Sequence, residues 1–374
     1  MITQGKLKEH FGRGQTTPAY LKSAEGIRKK REALAFLQEL RRFGGEYAAN
    51  MLGEALTTSD FDNLLTTNMN DKLIANWNTA PVGYKLWTYE DRTSTFNTHG
   101  LIGVEGSAGY IEKIGETTGI KTGKFSDSKY SIALDTYGEI MPLTRKMIIN
   151  DVLGGFNKLP RILSDKMART CEYLATKMIA DVNGPDATLF TSGHGNLIAK
   201  ELTMDGVETA AAAMYAMADD TTGDNIIVEP RFLIVPPNLK LQAQKIVKAL
   251  QVRTVDYGTS SAFKGYDITS DNPFTNLEVV LNNEITKIST SNTYKAKQWY
   301  MSSDPNLGRP AVARSVYSAA PDPRIFRKTP DAEIIGGSTD PYSFNYNGIE
   351  YKIQYDFGVA QVDYHGMVAS KPTS

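Results

Sequence analysis

The stretch Leu134–Phe190 reads LDTYGEIMPLTRKMIINDVLGGFNKLPRILSDKMARTCEYLATKMIADVNGPDATLF, and its second half carries the strongest helix signal in the chain. Leu163, Met167, Cys171, Leu174, Met178 and Val182 recur at intervals of three and four residues, with Ile162, Ala175 and Ile179 alongside. Arg161, Asp165, Lys166, Arg169, Glu172 and Lys177 fill the intervening positions, so the pattern predicts one buried face and a solvated remainder over 159–182. Pro160 falls in the expected first turn, where its missing N–H costs nothing, and Asn183-Gly184-Pro185 predicts a left-handed cap and a stop. A helix so firmly delimited predicts the spine of a domain.

Upstream, Tyr137–Leu143 reads as extended, because Pro142 biases Met141 away from helix, and Thr144–Asp151 reads as a short helix capped by Thr144. The run YGEIMPLTRKMIINDVLGGFNKLP, the long helix, and then ATLFTSGHGNL resemble the major capsid proteins of tailed phages, especially the Mu-like head subunits. That family has the Hong Kong ninety-seven fold, and the order of elements agrees with it from about Val82 to Pro372. The resemblance implies an α+β phage major capsid fold. It would comprise an N-terminal arm with short helices (1–80), a peripheral domain (81–104 and 137–200, with the spine helix 159–182), an extended hairpin loop (105–136), an axial domain (201–320) and a return β-ribbon of the peripheral domain (321–374).

Composition is that of a chain with a real core: 374 residues, 41% hydrophobic and 22% charged. With 41 basic and 42 acidic side chains the net charge is -1, a poor profile for a nucleic-acid binder that must neutralise phosphates. The one cysteine, Cys171, lies on the apolar face of the spine helix and reads as a small buried hydrophobe. The opening MITQGKLKEHFGRGQTT lacks the apolar core of a secretory signal, and no later run has the length to span a bilayer. The expectation is a protein made and assembled in solution, with no membrane partner.

Ala24–Phe43 is helical by composition, and its cluster Arg28-Lys29-Lys30-Arg31 reads as a solvated helix face; Phe61–Trp77 predicts another helix. Short isolated helices are marginal in water, so this arm is expected to gain order on a neighbour. Ile111–Thr136 reads as a long hairpin with turn residues at Gly123–Ser128, too polar to bury a face in its own domain. The resemblance makes it the loop that overlaps an adjacent subunit, carrying Lys113, Lys121, Lys124 and Lys129; one branch of the family links such a lysine covalently, and the sequence does not select one. Thr203–Ala218 and Leu239–Leu250 read as helices, the latter with Leu241, Ile246, Val247 and Leu250 inward. Between them NIIVEPRFLIV predicts two short strands, Val255–Pro273 a loop region, Leu277–Leu281 and Lys297–Met301 further strands, and Asp304–Pro323, with four prolines, an irregular stretch. From Ile349 to Val359 apolar residues occupy odd positions, and from Val362 to Val368 even ones. The slip predicts one long strand with a bulge or break near Ala360-Gln361, and Ile325–Ile335 as its partner.

No catalytic, cofactor or metal residue is assigned. His10, His99, His194 and His365 lack HxxxH, HxE or CxxC companions, and no GxxxxGK loop is present. Asp219-Asp220 reads as a solvated turn. Ser192 and His194 invite a hydrolase reading, but residues two apart in a glycine-flanked loop, without a GxSxG elbow, do not make a nucleophile and base. The resemblance implies a structural subunit of an icosahedral phage head, built into hexamers and pentamers of itself around double-stranded DNA. The resemblance also implies a portal at one vertex, with scaffold, maturation protease and decoration proteins as further partners, and a virion location after assembly in the host cytoplasm. An encapsulin-type compartment is the alternative, favoured against by the long N-terminal section and the SGHGNL run; a Ser192/His194 hydrolase is the distant one.

Overall fold

The central helix runs Gly154–Lys177, five residues earlier at each end than its periodicity predicts. Pro160 is consequently inside the helix, where it leaves the carbonyl of Phe156 without its intrahelical donor. At the far end Met178 and Ile179 donate to Ala175 and Thr176 (3.1 and 3.0 Å), a tightening to i→i+3 bonds that closes the last turn. The chain then forms a two-residue hairpin, Ala180–Asp181 on Gly184–Pro185. Gly184 does take a positive φ of 126°, but it serves this hairpin and not a helix cap, and Val182 is 44% exposed. Of the predicted face Leu163, Met167, Cys171, Ala175 and Ile179 are buried, Leu174 and Met178 are half-buried, and Ile162 is 45% exposed. Glu172, read as solvated, is buried too, because its carboxylate accepts the backbone N–H of Gly83 at 3.1 Å.

The computed structural model describes residues 59–105, 126–144, 154–220, 222–255, 267–306, 309–328, 332–334, 338–340 and 348–373. In chain order the elements are α1 (Ser59–Thr79), α2 (Tyr84–Trp87), β1 (Tyr89–Thr93), β2 (His99–Glu105), β3 (Ser126–Ile132), β4 (Asp135–Thr144) and α3 (Gly154–Lys177). Next come β5 (Ala180–Asp181), β6 (Gly184–Pro185), β7 (Leu197–Ile198), α4 (Met204–Tyr215), β8 (Pro230–Val235), α5 (Lys240–Lys248), β9 (Gln251–Val255), β10 (Asp267–Asp271), β11 (Glu278–Leu281) and α6 (Ile285–Ile288). The last are β12 (Trp299–Ser303), β13 (Val312–Tyr317), β14 (Arg324–Arg327), β15 (Ala332–Ile334), β16 (Ser338–Asp340), β17 (Gly348–Gln361) and β18 (Met367–Ser370). The class is α+β, as expected. The Ala24–Phe43 helix, the helix after Thr144 and the limb before Ser126 lie outside the described residues, and Thr144 itself ends β4.

Described residues of Met1–Pro81, Thr136–Arg169 and Ala320–Asp356 form one compact unit. There α1 buries Met69, Leu73 and Trp77, one per turn, which is the stripe a surface helix needs. Asn70 locks it to β14 in both directions: its Oδ1 accepts from Ile325 N at 2.7 Å and its Nδ2 donates to Ile325 O at 3.3 Å. Trp77 meets Tyr355 edge-on at 5.1 Å. In β17 Ile349, Tyr351, Ile353 and Tyr355 are buried, the alternation read from the sequence, and β14 is its antiparallel partner.

The other unit comprises the described residues of Val82–Asp135, Thr170–Ala319 and Phe357–Ser374. Its main sheet has the order β11-β8-β12-β18-β7, with the C-terminal strand β18 hydrogen-bonded to β12 on one side and β7 on the other. Leu233, Val235, Trp299, Met301 and Val368 of this sheet form one core with Val207, Ala211 and Met214 of α4 and Ala243 and Val247 of α5. Thr203 caps α4, its hydroxyl accepting from Gly206 N at 3.1 Å. Leu241 and Leu250 are not inward: they are 71% and 82% exposed, because Ala243 and Val247 own the core face and the helix stops at Lys248. Asp267–Asp271, read as loop, pairs with β9 in a hairpin.

Asp304–Pro323 is not irregular throughout, since Val312–Tyr317 is a nearly fully buried strand between β1 and the Phe357–Gln361 part of β17. A strand buried on both faces shows no alternation, and all four prolines flank it without entering it. The predicted break after Ala360-Gln361 is present. β17 ends at Gln361, a 3-10 turn spans Tyr364–Gly366, and β18 begins at Met367.

Candidate functional site

The polar hairpin of the sequence reading exists as a ribbon with a different pairing. His99–Glu105 pairs antiparallel with Ser126–Ile132, His99 opposite Ile132 and Glu105 opposite Ser126. Ser126–Ser128 are thus strand and not turn, and Gly100 and Gly103 lie within β2. Seven residue pairs give a paired length of roughly 20 Å. At its base His99 Nε2 stands 2.7 Å from Asp91 Oδ2 of β1, and Asp91 also accepts from Ser315 Oγ of β13 at 3.1 Å. The ribbon's first residue is therefore tied to the sheet beside it. Of its four lysines, Lys113, Lys121 and Lys124 lie outside the described residues, and Lys129 sits in β3 opposite Ile102.

Behind that base, Arg314 of β13 is buried and clasps the α2–β1 corner. Its Nη1 donates to Lys85 O (3.0 Å), Thr88 O (3.1 Å) and Thr88 Oγ1 (2.8 Å), and its Nη2 to Glu90 Oε2 (2.6 Å). Burial works to raise the Glu90 pKa, but the hydrogen bonds from Arg314 and Arg92 and their charges outweigh it and hold the carboxyl below its ordinary value. No local motif betrays this clasp, whose partners are more than two hundred residues apart.

The residues that invited a hydrolase reading form a folded loop. Asn196, fully buried, accepts from Thr191 N (3.1 Å) and donates to Leu189 O (2.9 Å) and Tyr364 O (3.3 Å). His194 Nδ1 donates to Leu189 O at 3.3 Å, and its ring stacks on Tyr364 at 4.0 Å. Ser192 is exposed and its carbonyl accepts from Gly195 N, in a turn that uses the positive φ of Gly195 (69°). The imidazole is committed to a carbonyl and a ring, and not to the serine hydroxyl. Asp219-Asp220 does form a turn, but Asp219 is not solvated: it is buried and takes a 2.6 Å bond from Arg309. Cys171 is buried as expected, and burial drives its thiol pKa strongly upward. The surroundings of His365 come from distant segments, and the sequence marks them locally by nothing more than the Asp363-x-His365 spacing.

Among the described residues no group of three or more His, Cys, Asp or Glu side chains is placed to hold a metal ion, and no helix is long and apolar enough to cross a membrane. Among the described residues Ile227, at 90%, is the most exposed of the large apolar side chains. A two-stranded ribbon is marginal by itself and gains stability on a further surface.

Solved structures similar to this chain include one from Microbacterium phage Oxtober96 (13% identity, 78% of this chain and 91% of that one, TM-score 0.48). The capsid structure of cyanophage P-SCSP1u is another (13% identity, 78% and 88% covered, TM-score 0.45). A third is the SrpI encapsulin complex of Synechococcus elongatus (7% identity, 76% and 84% covered, TM-score 0.43). No curated protein sequence matches. The model of a family described as phage capsid protein matches residues 129–370, from within β3 through β18. By that match over well more than half of its length, the chain belongs to the phage capsid proteins, structural subunits that self-assemble into the shell of a virion.

Proposed function

We propose that this chain is the major head subunit of a tailed phage, of the Hong Kong ninety-seven type, closing an icosahedral shell around double-stranded DNA. The observation that carries the reading is the β2–β3 ribbon on a capsid-family chain: a two-stranded ribbon is marginal by itself and is expected to be stabilised on a sister subunit. Head-to-tail contacts close into rings when the rotation permits, here of five and six copies. The N-terminal arm (1–80) and the extended loop (105–136) would lie across neighbours, while a peripheral domain on the spine helix and an axial domain (201–320) form the wall. Interfaces built from such extensions bury on the order of 2,000 Å² or more.

A portal at one vertex, a scaffold, a maturation protease and decoration proteins are the further partners of this reading, with assembly in the host cytoplasm. No catalytic residue, cofactor or metal is assigned. Electron microscopy of the purified full-length chain tests it: closed shells with five- and six-fold vertices containing nuclease-protected DNA are expected. Shells packed with an enzyme would identify a cargo compartment instead, and a compact monomer at high concentration would overturn the assembly reading. Ser192→Ala is expected to assemble unchanged; loss of a hydrolytic activity in that variant would revive the catalytic reading.

A further inference from the structure

In the unit that carries the main sheet, the turn after α4 meets the segment between β17 and β18 in a buried cluster of charge. Arg309 Nη2 donates to Asp219 Oδ2 at 2.6 Å, and its Nη1 lies 3.6 Å from Asp363 Oδ2. The other oxygen of Asp363 accepts from the backbone N–H of His365 (3.0 Å) and from His365 Nδ1. His365, 2% exposed, points its second ring nitrogen, Nε2, at the carbonyl of Ala218, 3.0 Å away. Tyr364 stacks between two imidazoles, His194 and His365, each at 4.0 Å, and its hydroxyl donates to Asp220 at 2.6 Å.

Both ring nitrogens of His365 therefore face groups that accept hydrogen bonds, a carboxylate and an amide carbonyl. A neutral imidazole has one N–H and can satisfy one of them; the imidazolium satisfies both. Charge points the same way. With His365 protonated, two cations (Arg309, His365) face two carboxylates (Asp219, Asp363); without that proton one guanidinium is left with two buried carboxylates. We propose that His365, as an imidazolium bonded to Asp363 and to the Ala218 carbonyl, is a protonation-dependent clasp that holds the Met217–Ile226 turn to the C-terminal segment and releases it as pH rises.

Burial disfavours the charge on His365, but the Asp363 hydrogen bond and charge and the Ala218 carbonyl outweigh it against opposition from Arg309, and the pKa lies above the ordinary 6.5. A group whose pKa is raised on folding contributes fully below the unfolded value and loses that contribution as pH climbs through the folded value. The clasp thus holds in mildly acid solution and weakens above 6.5.

Hydrogen exchange on the full-length chain at about pH 6 and about pH 9, corrected for base catalysis, reads the clasp directly. The reporters are the amides of Asp219, Gly223 and Ile226, which donate to Asp224 O, Asp219 O and Met217 O. In the wild type their protection is expected to fall about tenfold at the higher pH relative to β12, and His365→Gln should show no such dependence. Equal protection of the wild-type turn at both pH values, or an unchanged dependence in H365Q, overturns the proposal. Should H365Q not fold, Asp363→Asn serves: removing the carboxylate should move the opening to lower pH, and an unmoved midpoint overturns it. His194→Gln must keep the dependence; if it is lost there, the proton belongs to His194 and the assignment is wrong.

Discussion

Replacing Arg314 tests the physical picture of how the base of the ribbon is held. Arg314→Ala removes four hydrogen bonds and leaves the carbonyls of Lys85 and Thr88, at the end of α2, without their donor. Each buried acceptor left unpaired costs about 1–3 kcal/mol. Glu90 is spared part of its loss, because its side chain is 35% exposed and Arg92 also reaches it at 2.8 Å. These effects share one side chain and do not add, so the expected destabilisation is about 3–4 kcal/mol, most of it from the two carbonyls. Arg314→Lys keeps the charge but has no planar fork to serve two carbonyls and a carboxylate, and is expected to cost about half as much. Denaturant unfolding of the full-length chain, followed by tryptophan fluorescence, measures both. The Glu90 share of the stability is present above its ordinary value of 4.5 and is lost as pH falls through the lowered folded pKa, so the gap between wild type and R314A should narrow on acidification. An R314A chain within about 0.5 kcal/mol of wild type, or a gap that widens in acid, would refute the clasp.

Gly358→Ala is expected to destabilise by about 3 kcal/mol or prevent folding, since the added Cβ would lie 2.0 Å from the Ala133 carbonyl oxygen; thermal unfolding checks it. Asn70→Ala removes both bonds to Ile325 and should cost about 1–3 kcal/mol in the same assay, with Asn70→Asp losing only the donor half. Cys171 should resist thiol reagents until the chain unfolds, because burial holds its thiol protonated; labelling at native-state rates under neutral conditions would contradict that.

What the amino-acid order determined by itself was the local geometry. The three- and four-residue spacing from Leu163 to Ala175 marked the buried face of α3, alternation from Ile349 marked β17, and the change of phase marked the break before β18. Such signals arise because a helix or a half-buried strand repeats within a dozen residues. The resemblance carried by the YGEIMPLTRK run supplied the family. Tertiary structure alone decided the rest. Val182 continues the helical pattern yet is outside the helix, since the chain turns into the Ala180–Pro185 hairpin. β13 has no alternation to read because both its faces are covered, and β3 pairs with β2, which precedes residues 106–125 in the chain. Glu172, Asp219, Arg314 and His365 look like ordinary surface polar residues in sequence, but each is buried against a partner that chain topology delivers from elsewhere. A charge becomes tolerable in a core only when a distant group answers it, and that answer is written in the fold and not in the neighbouring residues.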